Sequence, residues 1–139
     1  MSVCAKKILT YGLLALAGGI VYVLIEITFR GYSHISMFAL GGICLALISI
    51  TDVSLISLGI IPKAVICGII ISITELTAGI VLNVYMELGI WDYSSLRFNL
   101  LGQICPQFSL IWVALSVPAI YLSRFLRHFA DQLTGLISL

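Results

Sequence analysis

Charge is what this sequence has least of. Only 9% of its 139 residues are charged, seven Lys and Arg against six Asp and Glu, for a net charge of +1. A soluble domain carries about 25% charged residues, so a water-facing globule is excluded. A net charge this close to zero also gives no electrostatic handle for nucleic acid. Histidine is scarce as well, at two, and Cys4, Cys44, Cys67 and Cys105 are scattered, with no CxxC pair and no His at ligand spacing. Neither a zinc site nor a disulfide framework is indicated, and the cysteines read as small buried hydrophobes. No metal or other cofactor is expected. A spanning helix takes roughly 20 apolar residues, so the length holds about four spans. That leaves no room for an ATPase domain, a Rossmann unit or any other water-exposed catalytic domain.

What is present is apolar sequence in long runs, 61% of the chain. The pattern predicts an all-α integral membrane protein, a single membrane domain over 1–139 with four transmembrane helices and a short C-terminal amphipathic helix at the interface. The first span covers about 8–29, too long for the apolar core of a signal peptide. A polar turn from Arg30 to His34 closes it. The second covers 36–50, where Thr51 and Asp52 interrupt it, and an apolar run over 53–61 follows up to Pro62. Whether that run extends the helix or lies along the interface stays open at this level. The third span covers 63–86 and the fourth 100–122, the latter with Pro106 and Pro118 as candidate kinks. In the tail, 123–139, Phe125, Leu126, Phe129, Leu133 and Leu136 recur at helical spacing opposite Arg127, Asp131 and Gln132, the pattern of a surface-lying helix. Four spans put Lys6, Lys7, Lys63, Arg124 and Arg127 on one side against Arg30 and Arg97 on the other. The positive-inside rule then gives a plasma-membrane protein, N-in and C-in.

An ionisable side chain at the centre of a span costs roughly 2.5–3.5 kcal/mol on insertion scales and is by default a functional candidate. Glu26 and Glu75 are the two that matter. At 100° per residue, Gly12, Ala15, Gly19, Tyr22, Glu26 and Arg30 share an arc of about 80° on the first helix. The same arithmetic gathers Gly68, Ser72, Glu75, Gly79 and Asn83 on the third. A rise of 1.5 Å per residue puts Glu75 roughly 16 Å below Met86, near the midplane, and Glu26 about 6 Å below Arg30. Facing stripes would form a polar funnel with Glu75 at its floor and Asn83 near the level of Glu26. Gln103 and Gln107 would line it, and the loop carrying Trp91, Asp92, Tyr93, Arg97 and Asn99 would cap it. The plainer readings are an end-of-helix ion pair for Glu26 and Arg30, an interhelical hydrogen bond for Glu75, close packing for the small residues and an aromatic belt for Trp91 and Tyr93.

Gly18-Gly19, Tyr22, Glu26, Arg30-Gly31, Ser33-His34, Ser36-Met37 and Gly41-Gly42 resemble the small bacterial membrane proteins catalogued as ABC-transporter permeases of the CmpB-like type. Thr74-Glu75, Gly79, Asn83, Trp91-Asp92-Tyr93-Ser94, Asn99 and Gly102-Gln103-Ile104-Cys105 look like that family's second signature. The resemblance covers Gly18 to Ala119, and the vertebrate transmembrane protein 229 group is similar. Arg97 departs from the pattern, which has Pro shortly before the Asn. The resemblance implies an inner-membrane protein of transporter type, yet nothing in the chain resembles a nucleotide-binding motif.

Three functions fit the residues. In the first, a transport or channel subunit binds a cation, a proton or a small polar solute in the outward-facing funnel through Glu26, Arg30, Glu75, Asn83, Trp91, Asp92, Tyr93, Asn99 and Gln103. The second is a membrane-embedded enzyme acting on a lipid or isoprenoid headgroup at the outer leaflet, with Glu26 or Glu75 as base and Arg30 and Arg97 holding the anion. The third is an assembly subunit whose polar stripe binds a partner helix, as a homodimer or with another membrane subunit.

Overall fold

The computed structural model describes residues 3–137. Four helices account for most of them: α1 (Val3–Arg30), α2 (Ile35–Ser54), α3 (Ile60–Gly79), prolonged by a π-helical segment (Ile80–Tyr85), and α4 (Pro106–Ile137). There is no strand among the described residues, only an isolated bridge between Leu100 and Ile104. Each helix is long and apolar enough to cross a membrane. Exposed Phe29, Ile56, Tyr85 and Phe98 belong to a surface that lipid, not water, would cover.

The helix ends follow local chemistry. Gly31, at φ 78°, stops α1 in the left-handed conformation and donates its N–H to Ile27 O at 2.9 Å, the usual glycine C-cap. α2 does not stop at Thr51-Asp52 as the sequence suggests. The Thr51 hydroxyl bonds back to Leu47 O at 2.8 Å and Asp52 finds arginine partners, so neither polar group breaks the helix. The run 53–61 is divided: its first two residues end α2, a turn follows, and Ile60 and Ile61 open α3. Pro62 thus lies in the first turn of α3, where its missing N–H has no helical acceptor to lose. The fourth helix opens at Pro106, six residues later than expected, for the same reason, and Pro106 is no kink. Only Pro118 lies inside α4. The tail continues α4 and is not a separate helix. Its residues Ser138 and Leu139 lie outside the described ones.

The chain divides into two compact units, Met1–Val53 with Ala119–Leu139, and Ser54–Pro118. In the first, α1 and α2 meet glycine to glycine: a Cβ on Gly18 would strike Gly41 O, and one on Gly42 would lie 2.7 Å from Ala15 O. Gly12, by contrast, faces open space. In the second unit α3 runs antiparallel to the start of α4, with Gly68 against Val113 and Ser72 donating to Ser109 Oγ at 2.8 Å. About two turns further on, Gly79 lies against Gln103, whose Oε1 would be 2.5 Å from an added Cβ. Small residues here permit close backbone approach.

Candidate functional site

Glu75 is the centre of the second unit's polar chemistry. It is 3% exposed, and each of its carboxylate oxygens accepts a hydrogen bond. Trp112 Nε1 of α4 donates to Oε2 at 2.9 Å, and the Tyr93 hydroxyl, from the loop after α3, donates to Oε1 at 3.0 Å. Tyr93 is held there by stacking on Phe108, with centroids 4.6 Å apart and planes 14° apart, and by its N–H, which donates to Gly102 O at 2.7 Å. Both donors are neutral and they differ in kind. An indole N–H can only donate, whereas a phenol can donate to a carboxylate or accept from a carboxylic acid. Oε1 can therefore take a proton if the Tyr93 hydroxyl reverses, with Oε2 undisturbed.

The loop that delivers Tyr93 is built by the other polar residues singled out in the sequence. Asn83, in the π-helical segment, donates from Nδ2 to Gln103 Oε1 at 2.8 Å and Trp91 O at 3.1 Å, and accepts from Ile90 N–H at 2.6 Å. Trp91 Nε1 donates to Gln103 O at 3.0 Å. Asn99 ties Leu96 O at 2.8 Å to Gly102 N–H at 2.9 Å. Asp92 is exposed and accepts the N–H of Ser94 at 2.8 Å; that bond, helped by the Ser94 hydroxyl, holds its carboxyl below the usual carboxylate range. Phe98 and Leu101 sit in the left-handed region at φ 58° and 55°, an uncommon conformation for side chains of this size. Asn83, Trp91, Asp92, Asn99 and Gln103 thus hold the loop in shape, and Tyr93 reaches the carboxylate.

Glu26 and Arg30 lie in the first unit. Arg30 Nη1 donates to Glu26 Oε1 at 2.7 Å, and the Ser33 hydroxyl donates to Oε2 at 2.7 Å. Arg30 also reaches the Tyr32 hydroxyl at 3.0 Å and stands over that ring. Both carboxylate oxygens of Glu26 are engaged at the end of its own helix.

Two features escaped the sequence reading. Trp112 is the first, although an indole N–H in mid-span needs an acceptor and Glu75 is the acceptor expected near the midplane. The second is Asp52, which is 4% exposed. Arg124 grips it with two bonds, Nε to Oδ2 at 2.9 Å and Nη2 to Oδ1 at 2.7 Å, and Arg127 Nη2 adds one to Oδ2 at 2.7 Å. Arg127 also reaches Ser49 Oγ at 2.6 Å. An aspartate in an apolar run and two arginines three residues apart were the available signals. Counting the arginines only as flanking charge concealed the pairing. Lys63, counted the same way, is buried.

Compared with known proteins, residues 6–138 match the model of a family described as "Putative ABC-transporter type IV". No curated protein matches the chain, and no solved structure does.

Proposed function

Because the chain belongs to this family of ABC-transporter type, we propose that it is a transporter-type membrane protein in which Glu75 binds and releases a proton or a small cation. The observation that carries the reading is the buried Glu75 carboxylate, held by Trp112 and by a reversible hydroxyl on Tyr93. Such a site changes protonation at one oxygen without dismantling its frame. Glu26 plays the lesser part, since Arg30 already neutralises it. The positive-inside count favours N-in and C-in, and the Lys6–Asp131 bridge at 2.9 Å supports a shared side for the start of α1 and the end of α4.

The test is proton or cation flux into vesicles containing the purified protein. Glu75→Gln keeps the shape and can still meet Trp112 and Tyr93, but it cannot titrate, so flux should fall to the level of empty vesicles with the fold intact. A fully active Gln variant would remove Glu75 from any acid, base or ion-coupling role. The assembly reading would then lead, favoured by the number of polar side chains engaged in holding the loop.

A further inference from the structure

The outer face of the last four turns of α4 is not the one that the sequence pattern suggests. Ser123, Arg127, Ala130 and Thr134 are turned inward, and their spacing of three or four residues marks one side of the helix. Tyr121, Arg124, Phe125, Phe129 and Leu136 are exposed, Phe125 at 64%, and Phe125 stacks on Phe129 with centroids 6.4 Å apart. A face that carries Tyr121, Phe125, Phe129 and Leu136 beside exposed His128, Asp131 and Gln132 suits the boundary between lipid and water.

Arg124 sits within this aromatic face. Its Nε and Nη2 are committed to Asp52, and its guanidinium carbon stands 5.6 Å over the Tyr121 ring. The side chain is still 43% exposed. The planar fork is therefore fixed in orientation by one edge while its Nη1 side remains for a second acceptor, and little side-chain freedom is left to lose on binding. Local charge points the same way. Asp52 carries one negative charge against two from Arg124 and Arg127, and Asp131 is bridged by Lys6, with Lys7 adjacent. This end of the unit has four basic residues against two acidic ones.

We propose that Arg124, backed by Arg127 and flanked by Tyr121, Phe125 and Phe129, is a binding site for the headgroup phosphate of an anionic phospholipid. The phosphate oxygens would accept from the outer side of the guanidinium while the aromatic rings meet the upper acyl chains, the arrangement expected of a basic and aromatic helix face at the membrane interface. This site is independent of the Glu75 reading.

Native mass spectrometry of the full chain, released from vesicles of equal phosphatidylglycerol and phosphatidylcholine, tests the proposal. Wild type should retain phosphatidylglycerol over phosphatidylcholine by about fivefold, the preference that one basic residue near a surface confers. Arg124→Gln should abolish the preference. Because that change also weakens the hold on Asp52, Arg124→Lys is the decisive companion. Its ammonium keeps the charge, the Asp52 pair and the melting temperature but lacks the planar second edge, so the preference should fall clearly below that of wild type. No preference in wild type, or a full preference in Arg124→Lys, would overturn the site. Displacement of the lipid by millimolar inorganic phosphate would overturn it too, by showing a general anion site that does not select lipid.

Discussion

Trp112 and Glu75, 37 positions apart in sequence, are joined by an indole N–H that donates to a carboxylate oxygen at 2.9 Å. The bond links α3 to α4 at a buried carboxylate. Trp112→Phe keeps an aromatic ring and removes the donor, so Glu75 Oε2 loses its indole bond. The expected cost is about 1–3 kcal/mol, read as a lower melting temperature in detergent. An unchanged melting temperature would show that the bond contributes nothing net.

Glu75→Ala should be worse than Glu75→Gln. Alanine takes the carboxylate away from both the Trp112 N–H and the Tyr93 hydroxyl, while glutamine keeps its oxygen for the indole and turns its NH2 donor to the Tyr93 oxygen. Thermal unfolding of the two variants beside wild type gives the order, and an alanine variant as stable as the glutamine one would count against the geometry.

Gly79 and Ile80 are neighbours with opposite surroundings. A Cβ at Gly79 would press on Gln103 and through it on Asn83 and Trp91, whereas Ile80 is exposed. Gly79→Leu should lower the yield of monodisperse protein sharply; Ile80→Leu should be neutral within about 0.5 kcal/mol. Size-exclusion profiles of the two variants decide it, and equal tolerance would sink the assigned facing.

The helices and their small-residue stripes were legible because hydropathy and a 3.6-residue period are local signals. Gly68, Ser72, Glu75 and Gly79 share a face by arithmetic alone, and they do pack on one partner surface. The start of α4 was not legible. Leu100 to Cys105 is as apolar as the helix that follows, and it is held as a loop by the Asn99 and Gln103 side-chain bonds, the Leu100–Ile104 bridge and the bond from Tyr93 N–H to Gly102 O. The role of Asn83 was equally hidden, since an asparagine on a polar stripe looks the same whether it meets a solute or the backbone of Ile90 and Trp91. The Asp52 pairing depends on residues more than 70 positions away, a distance over which periodicity says nothing.

Both termini should lie in the cytoplasm and the Tyr93 loop outside. In a background with the other cysteines replaced, Cys4, Ser94→Cys and Gly135→Cys placed singly report this through a membrane-impermeant maleimide. In intact cells only position 94 should react. Labelling at both terminal positions and not at 94 would reverse the assignment, and labelling at 94 together with either terminal position would sink the four-span arrangement.

Asp52→Ala would leave two guanidinium groups close together with no acid between them. Loss of one partner from a buried pair costs about 3–5 kcal/mol, and the partial exposure of Arg124 argues for the lower end. Asp52→Ala should therefore destabilise more than Arg124→Ala, which leaves Arg127 on the acid. Urea or dodecyl sulfate unfolding monitored by circular dichroism would reveal the ranking, and the reverse order would show that the carboxylate is not the keystone.

The Asp52 cluster also has a consequence for the order of events during synthesis. Arg124 is added 72 residues after the acid it holds, which at about 5–20 residues per second is an interval of several seconds. Over that time the end of α2 carries a carboxylate without either arginine, at a cost below the roughly 2.5–3.5 kcal/mol of an acid at mid-span because Asp52 lies close to the helix end. The end of the second helix should therefore settle into its final surroundings only once the last helix has been made, and chains truncated before Arg124 should leave Asp52 more accessible than the full chain does.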